Sequence, residues 1–401
     1  MSLRFSFLGS VSRGVYALTG ILLLLLSACS LRAQTLREIA SRSMQEGDYK
    51  DAIICYEKLL SLSKQVLKED DLEVVIHRAE LGDAYRAAAR WEDAIGQLDY
   101  AWKHLRHDAE HKGRWKAEEG DLAVQYGEAL GRACQGASRY NDAVMVFSYM
   151  VSDGETSKRD ESELLQPCAL LADTLLLQGK RAEADVYVQK AVAITERRHV
   201  DNSAVQATIL SGLSNLYIRH GLYDKARPLA TRALELTSSR KQPDLTFLAT
   251  LQANLGIIFS KLGELDSAEK MLNGAKAFFS TGMTPDSEKF MPLQRCFSEI
   301  ALKREQPDAA LVLARDALRL CKLHFPDDHP EMARCLGQLG FCYIAVGDQA
   351  SAVASLDLAV AIAEKSLGKD HPLSLELRRA RVQSAEAKKE VKEPPAVADP
   401  K

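Results

Sequence analysis

Between residues 34 and 390, apolar side chains recur at i, i+3, i+4 and i+7, the spacing that lays one buried stripe along an α-helix, and polar turns interrupt the stripe at regular intervals. A small residue stands five positions after each turn: Ala52, Ala94, Ala143, Ala184, Ala226, Ala268, Ala310 and Ala352. Successive intervals are 42, 49 and 41, then 42 four times. Thirteen positions before each anchor lies an apolar residue: Ile39, Leu81, Leu130, Leu171, Leu213, Leu255, Phe297 and Leu339. The next residue is always small, namely Ala40, Gly82, Gly131, Ala172, Ser214, Gly256, Ser298 and Gly340. A further small site follows seven after the anchor, at Ala101, Ala191, Ala233, Ala275, Ala317 and Ala359, with Leu59 and Met150 in the remaining two repeats.

Each repeat therefore predicts two antiparallel helices that cross where only Gly, Ala or Ser fits. Gly47, Gly179, Gly221, Gly263 and Gly347 stand at the turn, each placed to end the first helix in a left-handed cap. Asn202, Asp244, Asp286, Asp328 and Asp370 recur every 42 residues and are good N-cap types for a helix start. Pro330 and Pro372 follow two residues later, in a first turn that tolerates proline. The composition agrees: 23 Gly and 12 Pro in 401 residues, and 6% aromatics, are too few for an all-β chain. A net charge of -3 supplies no field for phosphates, which argues against nucleic acid as a partner.

The pattern Leu339-Gly340, Tyr343, Gly347, Ala352, Leu356, Ala359 resembles the tetratricopeptide repeat, as does Leu81-Gly82, Tyr85, Trp91, Ala94, Leu98, Ala101. The 42-residue period and the Asp-His-Pro tripeptides at 328–330 and 370–372 resemble the longer kinesin-light-chain variety. The resemblance implies an all-α fold, a right-handed α-solenoid of about eight helix-turn-helix units plus a C-terminal capping helix. Repeats 1, 3 and 7 depart from it, with Ser43 and Cys134 at the usual aromatic sites and Glu305-Gln306-Pro307 in place of a Gly turn. Units 1–2 are expected over 34–110, a connector over 111–122, units 3–8 over 123–372 and a capping helix over 373–390. The Pro-rich 391–401 lacks the apolar surface to order itself and is expected to be disordered.

Arg4 and Arg13 precede an apolar stretch from Gly14 to Ala28, the layout of a secretory signal too short to span a membrane. It closes on Leu26-Ser27-Ala28-Cys29, which resembles the lipobox of bacterial lipoproteins. That resemblance implies a signal peptide over 1–28, lipidation of Cys29, and a lipid-attached tether over 29–33 on an exported, membrane-anchored protein. Ser30 after the Cys points to the outer membrane, facing the periplasm. The alternatives are an uncleaved anchor or ordinary cleavage near Ala33.

Phosphate-binding, dinucleotide-binding and nucleophile-elbow motifs are absent. His107-Asp108-Ala109-Glu110-His111 has the H-x-x-E-H form of certain zinc peptidases, but it sits at the ragged end of a repeat helix. His104, His107 and His111 share a helix face and are a weak metal candidate against a solvated polar helix end. No catalytic residue and no cofactor is expected. Apart from Cys29, seven cysteines remain, Cys55, Cys134, Cys168, Cys296, Cys321, Cys335 and Cys342. Most are expected as small apolar core fillers, and of these Cys321 and Cys335 are placed to approach each other.

The first helices of the repeats line the inner surface, where the resembled family holds extended peptides. Inward positions include Glu80, Asp83, Glu128 and Asp173 in the first half. In the second half they are Asn215, Arg219, Asn254, Lys261, Arg295, Lys303, Arg334 and Gln338, with Glu299 the acidic exception. Arg219, Lys261 and Lys303 occupy one repeat position in three consecutive units, a basic ladder suited to an acidic segment or a terminal carboxylate of a protein partner. The expected function is a membrane-tethered adaptor. A lipoprotein subunit of an envelope assembly machine, for outer-membrane or pilus biogenesis, is the alternative, and a metal protein or enzyme a more distant one.

Overall fold

The computed structural model describes residues 31–112, 117–157, 160–198, 202–369 and 371–390, without the side chains of 107–112, 117–119 and 386–390. The expected signal over 1–28, Cys29 and the tail 391–401 lie outside the described residues. Helices follow one another as α1 (31–46), α2 (Tyr49–Val66), α3 (Leu72–Ala87), α4 (Trp91–Lys112), α5 (Ala117–Gly136) and α6 (Tyr140–Thr156). A 3-10 turn, Glu161–Leu164, leads into α7 (Leu165–Leu177), followed by α8 (Arg181–Arg198), α9 (Ser203–Arg219), α10 (Tyr223–Ser238), α11 (Leu245–Leu262) and α12 (Leu265–Gly282). The chain continues through α13 (Phe290–Lys303), α14 (Pro307–His324), α15 (Pro330–Ala345), α16 (Gln349–Leu367) and α17 (Pro372–Glu390). No strand occurs among the described residues. Helix fills most of the span expected as a connector, because α4 runs to Lys112 and α5 begins at Ala117; the inserted residues there are largely good helix formers.

The small-residue frame is the packing frame. All eight anchor alanines, from Ala52 to Ala352, are fully buried, as are the six alanines seven residues further on. Where the first helix offers Gly, a large residue four after the anchor fills the space. A Cβ on Gly82 would stand 2.7 Å from Leu98 Cγ, on Gly256 2.6 Å from Leu272, on Gly340 2.7 Å from Leu356 and on Gly131 2.2 Å from Phe147 Cζ. Where the first helix offers Ser, the hydroxyl is used instead: Ser214 and Ser298 donate to the carbonyls of the anchors Ala226 and Ala310 at 3.0 and 2.8 Å. A buried hydroxyl must find such a partner.

The turn keeps its geometry even where the residue departs. Gly47, Gly179, Gly221, Gly263 and Gly347 have φ between 70 and 83°, and the equivalent Ala89, Ser138 and Glu305 have φ of 56, 60 and 58°. The left-handed conformation is thus present in all eight repeats, and three of them hold it with a side chain that disfavours it. Glu305→Gly is expected to stabilise the second half by about 1 kcal/mol, raising the urea midpoint with unchanged slope, whereas Gly263→Ala is expected to lower it.

Two expected caps form and two do not. Asn202 and Asp244 accept from Val205 N–H and Phe247 N–H. Asp328 instead pairs with Lys365 at 3.0 Å, and the cap of α15 is His329, whose Nδ1 accepts from Glu331 N–H. Proline favours the first helical position, so Pro330 moves the cap to the residue directly before it. His371 serves Leu373 N–H in the same way before Pro372, while Asp370 lies outside the described residues. Asp286 also fails to cap, because α13 starts only at Phe290; it holds Arg319 at 2.6 Å.

The chain divides into two compact units, Met1–Leu175 and Leu176–Lys401. In the first, α3 touches α5 as well as its own partner α4. In the second, the first helices meet in sequence, α9 with α11, α11 with α13, α13 with α15 and α15 with α17, forming one layer of side-by-side helices. Helix α11 is long and apolar enough to cross a membrane, yet Leu251, Leu255 and Ile258 bury its stripe in the repeat core. Leu377 of α17 is buried over Gly337 of α15 and closes the C-terminal end of that core.

Candidate partner-binding groove

The layer α9–α11–α13–α15 carries the predicted groove residues. Asn254 Nδ2 donates to Asn215 Oδ1 at 3.0 Å, linking α11 to α9. One repeat further, Lys261 on α11 and Lys303 on α13 both hold Glu299, at 2.8 and 3.0 Å. Lys303 also donates to the Ser260 carbonyl. Burial raises the Glu299 carboxyl, but the Lys261 and Lys303 ammonium groups outweigh it and hold it below its ordinary range. Lys261 is held above the ordinary lysine range despite its own burial, because Glu299 faces it. The ladder expected as bare positive charge is therefore a Lys–Glu–Lys triad at two of its three rungs. Arg219 is exposed at the third.

Arg334 pairs with Glu331 at 2.7 Å. Arg295 stands deeper, its Nε buried without a hydrogen-bond partner among the described residues. Gln338 departs from expectation: it is buried, and its amide donates to Ser298 Oγ at 3.0 Å. It fills the interface between repeats 7 and 8 rather than facing a partner, because the Ser at the crossing of repeat 7 leaves room for a polar neighbour.

In the first unit the inward acids are also engaged. Glu80 pairs with Arg37, and burial raises its carboxyl despite that charge. Asp83 holds Arg86 at 2.9 Å, Glu128 holds Arg132 at 2.9 Å, and Asp173 accepts from Gln135 at 3.4 Å.

One feature of the first unit has no periodic signal in the sequence. A cavity of about 370 Å³ opens among α1, α2 and α3, lined by Leu59, Leu62, Val66 and Leu67 together with Arg37, Ser63 and His77. Ser63 Oγ lies 2.7 Å from His77 Nδ1 and gives its own proton to the Leu59 carbonyl. His77 Nδ1 is therefore the donor to Ser63. Burial, and then the charge of Arg37, lowers the His77 imidazole from 6.5 to about 4. The same repeat position holds the buried Leu251, Leu293 and Cys335 in repeats 6, 7 and 8, which marks it as core there, and no periodic signal singles out His77 as a polar site.

His104 stacks on the Tyr100 ring, with centroids 6.4 Å apart. The side chains of His107 and His111 lie outside the described residues. Among the described residues no group of three His, Cys, Asp or Glu could hold a metal ion.

Two tetratricopeptide-repeat family models match the chain, one over residues 31–99 and 165–239 and the other over 298–331 and 332–373, together more than half of it. The tetratricopeptide repeat protein 19 homolog, mitochondrial, of Drosophila melanogaster is 28% identical over 145 residues, which span 35% of this chain and 38% of that protein. Among solved structures, the apo form of the quorum sensor NprR from B. thuringiensis is 15% identical with a TM-score of 0.52, covering 88% of this chain and 93% of its own. Repeats of a putative kinesin light chain from Podosopora anserina are 17% identical with a TM-score of 0.39, covering 52% of this chain and 98% of theirs. With eight helix pairs crossing at small residues and turning through one left-handed position, the chain belongs to the tetratricopeptide-repeat family.

Proposed function

We propose that this protein is a non-catalytic interaction scaffold whose second unit holds an extended, acidic or carboxylate-terminated partner segment along α9, α11, α13 and α15. Proteins of this repeat family generally mediate protein–protein interaction. The observation that supports the acidic partner is the Lys261–Glu299–Lys303 triad. An ammonium group has three donors, and Glu299 uses one from each lysine. Both side chains keep solvent access, 30% and 37%, so Lys261, and Lys303 with the one donor left after Glu299 and the Ser260 carbonyl, can still meet an incoming carboxylate. The Asn215–Asn254 pair alongside offers amide groups that an extended backbone can use.

The reading includes a tether: an exported protein lipidated at Cys29 and held at the outer membrane, facing the periplasm. Its support is the sequence layout of Arg4, Arg13, the apolar stretch and Leu26-Ser27-Ala28-Cys29. Cys29→Ser is expected to abolish incorporation of labelled fatty acid and to move the protein out of the membrane fraction; retention of both would remove the tether from the proposal.

The groove is tested by crosslinked capture from native membranes, comparing the full chain with one carrying Arg219→Glu, Lys261→Glu and Lys303→Glu. Loss of the captured partner in the variant is expected, and an unchanged partner would place binding elsewhere. Glu299→Gln removes the competing carboxylate and is expected to tighten binding of an acidic segment by about two- to fivefold, the size of a partly exposed ion pair.

A further inference from the structure

The seven described cysteines are reduced thiols, and all but Cys55 are buried. Four crowd into three neighbouring helices: Cys296 on α13, Cys321 on α14, Cys335 and Cys342 on α15. Their partners differ. Cys296 faces the Gly256 carbonyl at 3.9 Å, and Cys342 lies 3.3 Å from Ser298 Oγ. Cys335 Sγ points at α14, 3.7 Å from the Ala317 carbonyl, and Cys321 stands one helical turn beyond Ala317 on that same helix. The Ala317 carbonyl is the one that the Cys321 N–H meets in the helical i to i−4 ladder, so the Cys335 sulfur is brought up against the turn that carries Cys321.

We propose that Cys321 and Cys335 form a disulfide that staples α14 to α15, and so repeat 7 to repeat 8, wherever the protein meets a disulfide oxidant. The neighbouring Cys335 thiol holds Cys321 below the ordinary thiol range, and Cys321, then burial, pushes Cys335 up. Cys321 is therefore the attacking sulfur and Cys335 the resolving one. The Arg295 guanidinium lies close enough to favour the thiolate on both. In the first step the Cys321 thiolate attacks one sulfur of the oxidant's disulfide; that S–S bond breaks, the other sulfur leaves as a thiolate, and the attacked sulfur stays on Cys321 as a mixed disulfide. In the second step Cys335 gives up its proton and attacks the Cys321 sulfur, expelling the second thiol. Two protein thiols lose two electrons and two protons, and the oxidant's disulfide becomes two thiols.

Cys321 occupies the last turn of α14, which ends at His324. Fraying of that turn exposes it, and folding in an oxidising medium needs no fraying at all. In a stacked repeat array each repeat contacts only its neighbours, so a bond between the last two repeats joins them into one cooperative piece. The ring closes over the 325–329 loop and the start of α15, a short span that a staple restricts without a long-range rearrangement. This inference does not rest on the groove or the tether.

The test refolds the full chain from denaturant in oxidised and reduced glutathione, then blocks free thiols and digests it for mass spectrometry. A single cross-linked peptide pair joining Cys321 to Cys335 is expected, with the other described cysteines blocked as free thiols. The oxidised protein should melt several degrees above the same protein in dithiothreitol, on the order expected for a ring of this size. Cys321→Ser with Cys335→Ser should melt at one temperature in both buffers. Free thiols at both positions after refolding, or linkage of either to Cys296 or Cys342 in comparable yield, would overturn the assignment. Equal melting shifts in wild type and the double variant would overturn the staple.

Discussion

Gly131→Ala is expected to destabilise the first unit by about 2 kcal/mol, although alanine is the better helix former by about 1 kcal/mol. The added Cβ would stand 2.2 to 2.9 Å from three atoms of the Phe147 ring. Phe147 is fully buried, so the ring has no solvent side to move to and the helices must separate. Gly96→Ala on α4 is the internal comparison. A Cβ there meets nothing within 4 Å, and the same chemical change is expected to stabilise the unit by up to about 1 kcal/mol. Opposite signs for the two substitutions in urea unfolding are the outcome required. Phe147→Leu should relieve Gly131→Ala, so the double variant should cost less than the two single changes together; strict additivity would mean that the crossing is not the source of the loss.

Acid should weaken the first unit through His77. The folded imidazole ionises near 4, against 6.5 for the ordinary group. As pH falls through about 6.5 the unfolded chain takes up a proton that the folded chain refuses, so stability is lost across the window down to about 4 and levels off beneath it. The separation corresponds to about 3 kcal/mol, a large share of what holds a domain together. Other groups titrate in the same window, so the readout is a difference between proteins. His77→Gln keeps a donor for Ser63 and carries no titrating group. Its stability relative to wild type should rise by about this amount between about pH 7 and about pH 4.5. A constant difference across that range would show that His77 does not charge on unfolding.

The groove illustrates how far a periodic pattern carries. Arg219, Lys261 and Lys303 were legible as one repeated position, because a 42-residue period maps equivalent residues onto equivalent places in the stack. Their electrostatic state was not. Glu299 sits at a different position of the frame, one turn before Lys303 on the same helix, and only the approach of α11 to α13 adds Lys261 as its second partner. Gln338 shows the same limit in reverse, since its place in the frame suggests an inward face while the contact with Ser298 buries it.

What the sequence by itself determined is the architecture. Small residues recur in register because two helix backbones cannot approach closely past a large side chain, and that constraint is local enough to read in one dimension. The helix pairs and their number follow from it, and the capping helix from the amphipathic stretch after Pro372 that a solenoid end needs. The cap of α15, expected at Asp328, is His329, because proline takes the first helical position and moves the cap to the residue directly before it. Groups distant in sequence find their partners only through the packing of one helix on another. Ala89, Ser138 and Glu305 take the left-handed turn without glycine because the packed helices on either side dictate the backbone, at a local cost that the sequence does not display. Ser63 meets His77 and Glu299 meets Lys261 because helices from neighbouring positions in the stack pack together, whereas the approach of Cys321 to Cys335 was already legible from their places at one helix end and the next helix start. Periodicity tells which side of a helix is buried, whereas the partner of each buried polar group depends on distances between helices.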